Sequence, residues 1–239
     1  MHSRDELRSR ATEIEPQWHD LGDDLSPGLR GNWPTDPDAG GTWVGVHENG
    51  LFLGLLNLNL TEDELPVDLP AFTRSRGLII PELLKLGSVE SALSAIRDMD
   101  LLGTSPFRLV FIGLGQDQEY KIAVVRFDGM QLTTPTELTA LNRPLCWASS
   151  GLGDGLVQCR LPLFESMISA DMSSETQRDF HWHQWEDRPE FSVMMSREDA
   201  RTSSITTIEV ERGDEPKIVY EPIAVGDPKA DPVGAGMLR

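Results

Sequence analysis

The chain has 239 residues, 39% of them hydrophobic, and carries 39 Asp and Glu against 21 Lys and Arg, a formal net charge of −18. That length supplies a sizeable core, while so negative a charge repels nucleic-acid phosphates and anionic lipid surfaces and argues against partners of either kind. Apolar runs such as residues 51–56 (LFLGLL) fall short of the ~20 residues of a membrane span, no secretory leader is visible in the chain as written, and two cysteines, Cys146 and Cys159, fit reduced thiols in the cytoplasm better than a disulfide framework.

Taken in chain order, MHSRDELRSR (1–10) alternates charge and reads as a charged site or a strand end. Residues 11–41 are rich in Pro, Gly, Asp and Trp and read as irregular structure ending in the turn DPDAGG. In TWVGVHENGLFLGLLNLNL, Asn49-Gly50 lies between two apolar runs, which predicts a hairpin with a type I′ turn and strands at 42–48 and 51–58. Residues 61–71 form an acidic loop with two prolines. A helix is expected from Ser75 to Leu86 with Gly87 as its stop, kinked or starting late because Pro81 lies inside it.

Val89, Leu93 and Ile96 have helical spacing, residues 107–113 and 120–128 read as adjacent strands with Asp117 near their connection, and Asp128-Gly129 marks another turn. LCWASS (145–150) reads as a strand, 153–170 and 173–185 as helices, and 191–195, 203–211 and 217–222 as strands. The tail 223–239, rich in Gly, Pro and Asp, reads as loosely held. Hairpins first, helices in the middle and strands last predict an α+β protein with antiparallel sheets, organised as one domain over residues 1–222.

Several local patterns bear on chemistry. GLGQDQ (113–118) holds two glycines of a dinucleotide fingerprint with Gln118 in place of the third, and GLGDGL (151–156) lacks the lysine of a phosphate loop, so both read as turns and no cofactor is called for. His181 and His183 form an H-x-H pair without a third ligand at a matching spacing, so no metal site is assigned. Ser149-Ser150-Gly151 has no nucleophile elbow around it. In SREDARTSS (196–204), Arg197, Glu198, Asp199 and Arg201 crowd before an apolar strand. That is either a charged turn or an arginine oriented by a carboxylate to bind a substrate anion.

Four segments in order carry a family resemblance. SRDELRSR (3–10), with Ser3, Arg4, Asp5 and Glu6, resembles the Asn-Arg-Asp-Glu signature of the NRDE family, the transport and Golgi organisation protein 2-like proteins. DAGGTWVGVHENGLFLGLLN (38–57), with Gly40, Gly41, Thr42 and Trp43, is similar to the family's Gly-Gly-Thr-Trp hairpin. SRGLIIPELL (75–84) matches its Ser-Arg-Gly helix start at Arg76, and SVMMSREDARTSSITTIEV (192–210) its C-terminal block at Arg197 and Asp199.

The family resembles N-terminal-nucleophile hydrolases. The resemblance implies a four-layer αββα sandwich, an N-terminal Cys nucleophile with its own α-amine as base, an Arg and an Asp that position it, and an Asn that donates to the oxyanion. Carried over, Arg4 and Asp5 match the positioning pair, Asn57 the oxyanion Asn and Arg201 a later pocket Arg. Family members begin Met-Cys, with a strand, a turn and a strand before the signature. Here His2 and Ser3 follow Met1, so the first strands and the nucleophile are missing, no catalytic residue is assigned, and a misplaced start is the favoured reason. The implied function is an amidase-like pocket for a small amide or acyl compound, inactive as written. The alternative is a non-enzymatic carrier of a lipid-like or haem-like ligand. The oligomeric state is left open.

Overall fold

A computed structural model of the chain describes residues 1–22 and 28–237. The chain divides into two compact units, a first made of Met1–Arg10, Pro144–Thr207 and Val219–Arg239, and a second made of Ala11–Arg143 and Ile208–Ile218. Among the described residues the architecture is α+β, its strands paired mostly antiparallel, with five α-helices. No described helix is long and apolar enough to cross a membrane.

The first unit opens with β1 (His2–Leu7), and the second continues with β2 (Ile14–Asp20), β3 (Arg30–Thr35), β4 (Val44–His47) and β5 (Phe52–Asn57). β6 (Phe107–Leu114), β7 (Tyr120–Phe127), β8 (Leu132–Thr133) and β9 (Thr139–Ala140) follow. β2 to β8 lie side by side in sequence order as an antiparallel meander, and β9 pairs with β7 off that path.

β2 and β3 replace the irregular structure expected over 11–41. Pro16 and Pro34 read as breakers, yet β2 is the edge strand, where the missing N–H of Pro16 is tolerated, and the ladder shifts register between Ile14 and Gln17 to pass it. Trp33 is buried and stacks on His19 with ring centroids 4.0 Å apart.

The hairpin at Asn49-Gly50 forms β4 and β5 as the spacing predicts, with a different turn. Gly50 has φ +83° and Asn49 does not enter the left-handed region. The Gly50 N–H donates to His47 O at 2.8 Å, so three residues close the loop, with glycine at its one left-handed position. The helix expected at Ser75 starts late. A short 3-10 turn (Arg76–Leu78) leads into α1 (Ile79–Leu84), which leaves Pro81 in the first turn, where its missing N–H has no intrahelical partner to lose. Ser88 caps α2 (Val89–Asp98), its hydroxyl accepting from Ser91 N–H at 3.2 Å. Ile80, Leu83, Leu84, Val89, Leu93 and Ile96 from the helices meet Leu53, Phe107, Leu109, Phe111 and Val125 from the sheet in one buried cluster.

In the first unit, helices α3 (Arg160–Ala170) and α4 (Ser174–His181) precede β10 (Ala200–Glu209), which lies between β1 and β11 (Lys217–Pro222); α5 (Pro232–Met237) closes the described chain. Phe164, Ile168, Phe180 and Val193 form its apolar centre between the helices. Two expected strands are absent. Residues 145–150 carry no ladder, and 189–191 form a 3-10 turn, after which Met194 N–H donates to His183 O and Met195 N–H to the Thr202 hydroxyl. The helix expected over 153–170 is split into a 3-10 turn (Asp154–Val157) and α3.

The segment after Pro222 contributes Ile223 and Ala230 to a buried cluster with Met194 and Ile205. Asp231 is fully buried there, where it receives both Arg8 η-nitrogens, at 2.6 and 2.5 Å, and Ser196 Oγ at 2.6 Å. The segment's Gly, Pro and Asp residues supply turns around that ion pair.

Candidate functional site

β1 and β10 form the frame of the site. Their ladder runs Ser3↔Ile205 and Arg4↔Ser204, then slips to Asp5↔Thr202, so Ser203 is the extra residue of a β-bulge beside Arg4 and Asp5. Successive side chains on a strand point to opposite faces. The consecutive pair Arg4–Asp5 is therefore divided, Arg4 sharing a face with Glu6 and Asp5 sharing one with Ser3.

On the Ser3–Asp5 face, Thr202 Oγ1 donates to Asp5 Oδ1 at 2.7 Å and is fixed in turn by Met195 N–H at 2.8 Å. Burial raises the Asp5 carboxyl above the ordinary carboxylate range, against the opposing pull of Arg160, Thr202 and Arg197. Ser3 Oγ lies 2.6 Å from His181 Nδ1. Burial, and after it positive charge that includes Arg160, holds His181 well below its usual range, so the ring is neutral at physiological pH.

Arg160 is the charge these groups share. It opens α3 and is 7% exposed, with Nε donating to Phe191 O at 3.0 Å and Nη1 to Ser149 O at 3.5 Å; Nη2 is buried without a partner. Cys146, packed beside the Phe164 cluster, has its thiol pushed up to about 11 by burial despite Arg160. Sequence spacing indicated neither Arg160 nor Thr202. The available signal for Arg160 was a lone cation at the head of an otherwise apolar stretch, RLPLF (160–164), where a buried charge needs a specific reason.

The residues carried over from the family have varied surroundings. Arg4 pairs with Glu6 at 2.5 Å. Arg201 Nη1 donates to Ile223 O at 2.8 Å and Thr202 O at 3.0 Å, which ties β10 to the start of the C-terminal segment. Asp199 orients Arg197 through a 2.6 Å bond to Nε, the carboxylate-held arginine that SREDARTSS allowed. Asn57 belongs to the second unit, exposed at the end of β5 opposite Phe107.

The motif residues Gly41, Thr42, Trp43 and Arg76 have packing roles in that second unit. A Cβ on Gly41 would lie 2.6 Å from the Gly77 carbonyl carbon, and Thr42 N–H donates to Gly77 O at 3.0 Å. Arg76 Nη1 donates to Pro106 O at 2.9 Å, Gly40 takes φ +66°, and Trp43 is buried. His181 and His183 do not share a ligand position. His181 faces Ser3, while His183 stacks edge-on to Trp185, and no three His, Cys, Asp or Glu among the described residues converge as a metal site.

What the arrangement offers chemically is a half-buried strand face with a hydroxyl, a neutral imidazole and a carboxyl raised above its ordinary range, beside one cation. The sequence model of a family described as Transport and Golgi organisation 2 matches residues 1–151. No curated protein matches the chain.

Proposed function

Because the chain belongs to the Transport and Golgi organisation 2 family, we propose that it adopts the four-layer αββα sandwich of the N-terminal-nucleophile-hydrolase type and holds a small acyl or amide compound on the Ser3–Asp5 face of β1. The matched residues run from the first unit into the second and back, which supports reading both as parts of one domain. The observation that carries the ligand reading is the juxtaposition on one strand face of Ser3, 2.6 Å from His181, and Asp5, 2.7 Å from Thr202. A hydroxyl–imidazole pair and a carboxyl side by side present donors and acceptors that match the N–H and C=O of an amide group. Within the first unit the pocket role falls to Asp5, while Arg4 pairs with Glu6 on the opposite face of β1 and Arg201 acts as a brace.

Binding is favoured over turnover for an electrostatic reason. A serine activated by His181 would generate an imidazolium in surroundings that already disfavour positive charge. Cys146, at about 11, is thiolate in only about one molecule per thousand at pH 8. The Ser3–His181 contact is the one feature that favours hydrolysis as a second reading.

Titration of the full chain with the neutral probe N-hexanoylglycinamide, followed by mass spectrometry of the probe, separates the two. Saturable binding with the probe intact is the expected result. Cleavage that disappears in Ser3→Ala would establish the hydrolase, and absence of any binding would overturn the ligand reading.

A further inference from the structure

The first unit holds two guanidinium groups with unused donors. Arg160 Nη2 and Arg197 Nη1 are each buried without a hydrogen-bond partner, on a residue 7% exposed and on a side chain 16% exposed respectively. Buried N–H groups of this kind are ordinarily satisfied, and a charged one left open in a folded protein calls for an acceptor from outside the chain.

The two converge on one short turn. Arg160 Nη1 reaches Ser149 O at 3.5 Å, and Arg197 Nη2 lies 3.6 Å from where a Gly151 Cβ would stand. The remaining bonds of each arginine hold it in place. Phe191 O anchors Arg160 through Nε, and Asp199 anchors Arg197 through Nε, so both forks are oriented before any ligand arrives. Gly151 leaves the Arg197 side of the turn open, because no side chain projects from it.

We infer that Arg160 and Arg197 form a carboxylate-binding pair at the Ser149–Gly151 turn. It rests on the ligand reading above and adds the charge of the ligand: an acyl or amide compound bearing a carboxylate. A single carboxylate suits the charges on hand. Asp199 already pairs with Arg197 and Asp5 lies within electrostatic reach of both arginines, which leaves less positive charge than the two negative charges of a phosphate monoester would call for. Two oxygens accepting from two fixed guanidinium groups also match a carboxylate in geometry. The unit would thus read both parts of an N-acyl amino acid, the amide on the β1 face and the acid on the arginine pair.

The test uses the full chain labelled with nitrogen-15 at arginine, and compares N-hexanoylglycine with its neutral amide. The acid is expected to bind about tenfold more tightly than the amide, and to shift the Nε–Hε resonances of Arg160 and Arg197 along one saturation curve. Arg197→Gln is expected to abolish the acid's advantage and Arg197→Lys to restore part of it. Arg197 bonds only an exposed partner through its side chain, so these variants keep the fold; Arg160→Lys, which retains a donor for Phe191, gives the matching loss from the other side. Equal affinity for acid and amide would overturn the pair while leaving the ligand reading standing. An acid advantage that survives Arg197→Gln would overturn it too, and binding of neither probe would overturn both.

Discussion

The two units handle polar groups in opposite ways. In the second, the meander and its two helices bury an apolar cluster, and the motif residues Gly41, Thr42 and Gly77 bring two backbones into contact where no side chain fits. In the first, polar side chains occupy buried or half-buried positions around short strands: Asp5 against Thr202, Ser3 against His181, Asp231 inside the Arg8 fork, and Arg160 with a donor unused. Burying polar groups costs stability unless each finds a partner. The contrast separates a scaffold specified by shape from a site specified by charge and hydrogen bonding.

The largest expected effect comes from breaking the ion pair that closes the first unit. Asp231→Ala leaves the Arg8 guanidinium without its counter-charge and should cost about 3–5 kcal/mol in urea denaturation. Burial alone would raise the Asp231 carboxyl, but its bonds from Arg8, Ser196 and the Gly226 N–H outweigh that and hold it well below the usual range. A carboxyl depressed in the fold stabilises it above the unfolded value of 3.8 and loses that contribution as pH falls further. Unfolding of the wild-type chain should therefore become easier as pH drops below about 4, with the variant's curve flatter there. An equally steep acid limb in the variant would contradict this.

How much was legible in the sequence follows the same division. The meander was readable because its neighbours in space are neighbours in sequence, so local alternation and the Asn49-Gly50 signal suffice. Strands β2, β3, β8 and β9 were not legible; β2 was hidden by Pro16, whose cost depends on the strand lying at the edge, a fact of the assembled sheet. The site was legible only in part. Asp5 could be reached through the signature, but its partner Thr202 is 197 positions away, and Ser3 meets His181 across 178. Chain spacing does not encode such convergence. The signature also placed Arg4 and Asp5 together, whereas strand alternation sends them to opposite faces.

On the scaffold side, Gly41→Ala should cost about 1–3 kcal/mol through overpacking, because backbone atoms of Gly77 have no rotamer by which to yield. Thermal unfolding measures it, and an unchanged midpoint would mean the close approach is not required.

Asp5→Asn should change stability at pH 7 by about 1 kcal/mol or less and in the stabilising direction, since Thr202 keeps an oxygen to donate to while a half-buried charge is removed. The sign follows from the raised carboxyl: the folded state holds its proton more tightly, so stability falls as pH rises above 3.8 through the folded value. The variant should lose that slope, and a destabilised variant at pH 7 would show that the Asp5 charge is needed.

The smallest effect is expected at Asn57→Ala, within about 0.5 kcal/mol by denaturation, because the side chain is exposed at a strand end. A larger loss would assign Asn57 a partner that the strand end does not suggest.

The central claim is that the polar face of the first unit, and not the motif hairpin of the second, receives the ligand. Backbone amide NMR of the full chain during titration with N-hexanoylglycinamide tests it most directly. Saturable shifts confined to residues 3–5, 181 and 202–204 are predicted; shifts centred on residues 41–57, or none at all, would contradict it.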